Sequence, residues 1–181
     1  LSVSSDLKVS FWQTAEPKDG SSFISQSLHD TSGLQVKNCA LSPNGQLVAI
    51  HQGSKLMLYT FTDFSLVETR TVFTEEFGYT ISSLSFSGDS ASLLYCFRVW
   101  QSFTRGDVWD VVGKLVSSSL KSQALVVVEC CCIASGKKEI MLCGKYQIEI
   151  WKYGERFCHL LTTLQIEEMY HSGRFSQCIV S

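Results

Sequence analysis

Eight cysteines and four histidines are the residues of this 181-residue chain that could ligate a metal or attack a substrate. A zinc site needs Cys or His ligands at converging spacing, such as two C-x2-C pairs. Cys130, Cys131 and Cys132 are consecutive. Adjacent residues of a strand point to opposite faces, so these three do not share one framework. Cys132 and Cys143 could face each other on paired strands, but two ligands do not close a site. Cys39, Cys96, Cys158 and Cys178 stand alone, mostly in apolar runs, where a free thiol behaves as a small hydrophobe. All eight therefore read as reduced thiols. The two asparagines, Asn38 and Asn44, start no N-x-S/T sequon. Both features point to a cytoplasmic or nuclear location.

Nucleophilic chemistry finds no better footing. Gly88-Asp89-Ser90-Ala91-Ser92 lacks the closing Gly of a G-x-S-x-G elbow. His29, His51, His159 and His171 have no recurring acidic partner, and no phosphate-binding G-x-x-x-x-G-K-[ST] occurs. Lys137-Lys138 is a lone basic pair. The reading is a non-enzyme with no catalytic, cofactor-binding or metal-binding residues. What remains is binding chemistry. Trp100 and Phe103 fall with Arg98 and Arg105 in one segment, and exposed Trp and Arg dominate protein-binding hot spots; the other reading is that a strand simply runs on there and Trp100 packs between repeats.

The elements that position these residues follow from composition. Twenty-seven Ser and eleven Thr stand against six Ala, which favours strands and turns over helices. Lys plus Arg is 15 and Asp plus Glu is 17, a net charge of −2. Such a chain has no bulk electrostatic drive toward nucleic acid or an anionic membrane. The longest apolar stretch, Ala124 to Ala134, is interrupted by Glu129 and falls short of the roughly 20 residues that span a bilayer. A chain that opens Leu-Ser-Val and closes Cys-Ile-Val-Ser reads as a segment of something longer.

Two signals recur in one phase. Runs ending in a large aromatic close at Trp12, Tyr59, Trp109 and Trp151, with Phe11, Leu58, Val108 and Ile150 just before them; the spacings are 47, 50 and 42 residues. Turn sequences follow Leu41, Phe86 and Ile133, spaced 45 and 47 residues. Turn to aromatic is 18 residues in two units and 23 in the unit ending at Trp109, which places an extra loop of about five residues before that Trp. Strands are expected at Val36 to Leu41, Gln46 to Ile50, Ser65 to Phe73, Ile81 to Phe86, Ser92 to Phe97, Leu125 to Ile133, Glu139 to Cys143 and Arg156 to Leu164. That is four strands per repeat, the unit of a propeller blade. Period-2 alternation predicts Phe11, Leu58, Val108 and Ile150 inward, with Ser10, Met57, Asp107 and Glu149 outward.

The pattern resembles the WD40 repeat family. Leu41-Ser42-Pro43-Asn44-Gly45 and Phe86-Ser87-Gly88-Asp89-Ser90 match its first-strand turn. Ser4-Ser5-Asp6 with Val9 and Trp12 matches its later turn and third strand, and Trp109-Asp110 is its Trp-Asp pair. The Gly-His pair is missing, and Asp6 has Gly53 and Lys145 at its equivalents. The resemblance implies an all-β propeller of four-stranded antiparallel blades, with residues 1–181 forming about four blades of a partial ring. The rest of that ring is expected from the same longer chain.

By that resemblance the function is a non-catalytic scaffold that docks other proteins through its rim loops. No cofactor, no membrane and no nucleic acid enter through this segment. The rim loops are His29 to Gly33, Gly53-Ser54, Phe73 to Thr80, Arg98 to Arg105 and Gly144 to Tyr146. The candidate partner-binding residues are Phe77, Tyr79, Arg98, Trp100, Phe103, Arg105, Lys145 and Tyr146. Two other readings stay open: the sensor propeller of a nucleotide-binding switch ATPase of the NACHT-WD or apoptosome type, and an RNA-processing or ribosome-assembly propeller.

Overall fold

The computed structural model describes residues 2–3, 8–12, 23–27, 36–62, 65–74, 79–99, 103–110, 115–125, 127–134, 136, 138–154 and 157–166. The described elements are strands, with no α-helix among them. β1 (Ser2–Val3), β2 (Lys8–Trp12) and β3 (Phe23–Ser27) form a first sheet. β4 (Val36–Leu41), β5 (Leu47–Gln52), β6 (Lys55–Thr62) and β7 (Ser65–Thr74) form a second. β8 (Tyr79–Phe86), β9 (Ser92–Val99), β10 (Phe103–Asp110) and β11 (Leu115–Ser122) form a third. β12 (Cys130–Ala134), β13 (Glu139–Cys143), β14 (Gln147–Tyr153) and β15 (Cys158–Gln165) form a fourth. In each sheet the strands lie side by side in sequence order, all antiparallel.

The repeat phase is visible as a register. Leu41 pairs with Val48, which pairs with Tyr59. Phe86, Leu93 and Trp109 make the same cross-sheet line in the third sheet, and Ile133, Ile140 and Trp151 make it in the fourth. The turn chemistry repeats with it. Ser42 Oγ donates to Asn44 Oδ1 at 2.7 Å, and Ser87 Oγ donates to Asp89 Oδ1 at 2.6 Å. Gly45 sits at φ +73°, a conformation glycine adopts without steric cost.

The chain divides into two compact units, Leu1–Leu41 with Gly45–Thr74, and Ser42–Asn44 with Glu75–Ser181. In the first, Val48, Ile50 and Tyr59 cluster with Val36, Cys39 and Met57 against them. In the second, Leu94, Cys96, Val108 and Leu120 of the third sheet pack on Cys131, Ile133, Ile140, Leu142, Trp151 and Tyr153 of the fourth. The seam thus joins the Val108 face of one sheet to the Trp151 face of the next.

This stacking corrects the expected alternation. Leu58 and Val108 are buried, but so are Asp107, 8% exposed, and Glu149, 2% exposed. Ile150 is only half-buried. The third sheet is covered on both faces, so Val108 and Asp107 are buried alike, whereas the fourth is buried more fully on one. Glu149 shares its face with Trp151, in the seam, whereas Ile150 lies on the other face of the fourth sheet. The side chain of Phe11 lies outside the described ones.

The expected strand from Leu125 begins at Cys130 instead. Leu125 and Val128 are spent as buried plugs of the seam, and the Glu129 N–H donates to the Cys143 carbonyl. A Cβ at Gly144 would collide with the Leu125 Cδ2 methyl, so this glycine is there for close approach. The cysteines also depart from expectation. Cys130 is disulfide-bonded, while Cys39, Cys96, Cys131, Cys132, Cys143 and Cys158 are free thiols. Cys178 lies outside the described residues. Cys143 sits opposite Cys130, not Cys132, which pairs with Met141. Burial pushes Cys132 up to about 12 and Cys143 to about 11, so neither is a thiolate nucleophile at neutral pH.

Candidate interaction rim

The extra residues before Trp109 are not a loop. Both hairpins pair equivalently from their Trp for three steps, to Gly106↔Cys96 in the third sheet and Ile148↔Cys143 in the fourth. The third sheet then adds Arg105↔Phe97, Thr104↔Arg98 and Phe103↔Val99. Three extra pairs add six residues and the turn loses one, which accounts for the surplus. At about 3.3 Å per residue the hairpin projects roughly 10 Å further than its counterpart.

One face of this extension carries cations over aromatic rings. Tyr95 and Phe97 stack with centroids 6.0 Å apart. The Arg105 guanidinium lies 5.9 Å from the Phe97 centroid, and Lys121 Nζ lies 4.3 Å from that of Phe103. Arg105 pairs across the strands with Phe97 on one side and Lys121 on the other. The Arg105 side chain is 42% exposed and Lys121 is exposed.

Buried carboxylates lie beneath the rim. Tyr95 Oη donates to Asp107 Oδ2 at 3.2 Å, and Arg105 Nε is 4.0 Å from Asp107 Oδ1. Burial raises the Asp107 carboxyl above its usual value, with Arg105 and the Tyr95 hydrogen bond opposing. Burial, then the Asp107 charge, raises the Tyr95 phenol. In the fourth sheet, Glu149 Oε1 accepts from Ser122 Oγ at 2.9 Å and Gln147 Nε2 at 3.2 Å, and Oε2 accepts from Trp151 Nε1 at 2.9 Å. Ser122 ends β11 and accepts from the Leu125 N–H at 2.9 Å. Leu125 in turn touches Gly144, so the long hairpin and the Gly144–Tyr146 turn share one edge of this unit.

At that edge Lys145 and Tyr146 are exposed, with Lys145 Nζ 4.7 Å from the Tyr146 centroid. Arg98 and Phe103 are half-buried on the long hairpin. Arg98 pairs with Thr104, so it points to the face opposite Arg105. Tyr79 pairs with Val99 at the start of β8, and its side chain is outside the described ones. Trp100 and Phe77 lie outside the described residues. Lys121 and Glu149 were not among the expected site residues. The usable signal for Glu149 was positional: Asp107 and Glu149 both stand two residues before a repeat Trp. His51 lies inside β5, fully buried opposite Leu56. Among the described residues no three His, Cys, Asp or Glu gather as a metal site, and no helix is long and apolar enough to cross a membrane.

The architecture is that of the β-propeller class, and similar solved structures belong to it. A candidate 6-phosphogluconolactonase of Bacteroides fragilis matches with a TM-score of 0.58 at 14% identity, over 80% of this chain and 42% of that one. The periplasmic gluconolactonase PpgL of Pseudomonas aeruginosa matches at 0.54 and 12%, over 73% and 40%. The Cps50 (Swd1) β-propeller domain of Myceliophteria thermophila, a WD40 propeller, matches at 0.50 and 15%, over 70% and 39%. No protein-family profile matches the sequence, and no curated protein matches it. The chain thus spans from about two fifths to about one half of the structures it resembles. At these identities the likeness shows the fold. It also corrects the expectation of a non-enzyme: lactonases share this fold with WD40 propellers, so the architecture does not set enzymes aside.

Proposed function

We propose that the chain is part of a propeller that docks a partner protein on the edge formed by the Arg98–Arg105 hairpin, Lys121 and the Gly144–Tyr146 turn. The rest of the propeller is supplied by the same longer protein. The carrying observation is the three-pair extension of β9 and β10, whose added length presents Arg105 and Phe103 beside Lys121. The fourth sheet completes its hairpin without this length. Tyr146, 47% exposed, extends the surface with a rigid aromatic of the type that anchors interfaces.

Site-specific photo-crosslinking in cells tests this reading. A benzoylphenylalanine at Phe103 or Tyr146 should yield one discrete crosslinked protein, identified by mass spectrometry. The same group at Phe157, beyond the opposite end of β14, should not. Equal products from all three positions sink the docking site. Turnover of 6-phosphogluconolactone by the purified chain, unaffected by Arg105→Ala, would replace docking by hydrolysis.

A further inference from the structure

Arg105 and Lys121 are direct cross-strand partners on β10 and β11. Like charges placed opposite each other in a sheet repel, so a sequence that keeps both pays for them in stability. Among the described residues the carboxylate nearest to Arg105 is the buried Asp107, whose Oδ1 lies 4.0 Å from Arg105 Nε. Instead, each cation is laid over an aromatic ring, Arg105 on Phe97 and Lys121 on Phe103. The rings orient the two cationic heads without neutralising them. The nearby acids Asp107 and Glu149 are below the surface, the first bonded to Tyr95 and the second to Ser122 and Trp151. The result is two cationic side chains from directly paired strand positions, each laid over an aromatic ring.

We infer that Arg105 and Lys121 form a seat for one anionic side chain, carboxylate or phosphoryl, of a partner protein segment. This rests on the docking reading of the same edge. An anion between the two heads would accept from the guanidinium fork and from the ammonium, and charge-assisted bonds of this kind are shorter and stronger than neutral ones. It would also relieve the cross-strand repulsion. Phe103 would supply apolar contact to the residue next to the anion.

The test uses the full chain and labelled peptides in fluorescence anisotropy: decaglutamate, a phosphoserine-containing peptide, and decaglutamine as the neutral control. Decaglutamate or the phosphopeptide should bind, and decaglutamine should not. Whichever charged peptide binds more tightly distinguishes carboxylate from phosphoryl recognition. Arg105→Gln with Lys121→Gln should weaken binding at least about tenfold, the loss expected for one broken charge-assisted contact. Arg105→Lys with Lys121→Arg should restore most of it. Raising ionic strength from about 0.05 M to about 0.3 M should weaken binding of the wild type more than of the double Gln variant. Equal binding of decaglutamate and decaglutamine overturns the inference, as does an unchanged affinity in the Gln variant. Tighter binding of an oligouridylate than of either acidic peptide also overturns it, in favour of nucleic acid. If the acidic peptides fail while crosslinks at Phe103 and Tyr146 persist, the anion seat falls and the docking reading stands.

Discussion

Glu149 and Trp151 stand two residues apart on β14, and the indole Nε1–H donates to the Glu149 carboxylate at 2.9 Å. The same repeat positions on β10 hold Asp107 and Trp109. There the buried Asp107 Oδ1 has no hydrogen-bond partner among the described residues. The shorter Asp107 side chain instead accepts from Tyr95 Oη at 3.2 Å and faces Arg105.

Glu149→Gln should therefore be costly. The amide keeps one acceptor oxygen but turns an NH2 group toward donors that Ser122 and Trp151 already supply. Disrupting a buried network of this kind costs about 1–3 kcal/mol. Urea unfolding at neutral pH measures it, and a midpoint equal to that of the wild type would show that the network adds no stability.

Asp107 sets a pH dependence of definite sign. Its folded carboxyl is raised by burial, so the folded state holds the proton more tightly than the unfolded state. Its contribution to stability therefore falls as pH rises from the ordinary carboxylate value through the raised folded value. Compared with Asp107→Asn, the wild type should lose relative stability between pH 4 and pH 7. Parallel urea titrations of both proteins at these two pH values check the sign, and a relative gain would contradict it.

Gly144→Ala should destabilise by about 1–3 kcal/mol, because the new methyl meets Leu125 Cδ2 and the Val127 carbonyl. Leu125→Ala is costly by itself, but in its presence the Gly144→Ala change should cost less. A double-mutant cycle reads the coupling directly, and strict additivity would mean the two residues do not share the space.

Leu58→Ala should cost about 2–5 kcal/mol, as expected for a fully buried Leu. Ile150→Ala, on a half-buried face, should cost clearly less. Thermal or urea unfolding of the two variants ranks them, and the reverse order would contradict the assignment of faces.

Thiol counting on the unfolded chain should give a lower number without reductant than with it. Cys130 is bonded and six described thiols are free. A count of all eight before reduction would remove the bond at Cys130.

The phase of the fold was legible because it rests on short local patterns. Val36–Leu41 and Glu139–Cys143 have the strand bounds that their alternation and turn neighbours predict. The register lines through Tyr59, Trp109 and Trp151 follow from the same spacing. The length surplus before Trp109 was also visible, and a strand that runs on, as β9 does to Val99, was one of its two readings. A count of residues does not tell a loop from three more ladder pairs. Glu149 was misread because a charged residue in a strand suggests solvent, while its partner Ser122 lies 27 positions earlier in the preceding sheet. Lys121 was missed for a similar reason: it follows a run of serines, and nothing near it in the chain points to Phe103 across the sheet. Contacts between sheets depend on stacking, which no single repeat encodes.

The consecutive strand order within every sheet has a kinetic consequence. Each strand pairs only with neighbours joined to it by one connection, so a sheet is assembled from successive hairpins. Short loops close at little entropic cost, and ladders of low sequence separation form faster than those that wait for distant chain. During synthesis β8 to β11 can zip together before β12 leaves the ribosome. The seam with the fourth sheet, and with it the bond from Ser122 to Glu149, then forms as a later docking step between surfaces already folded.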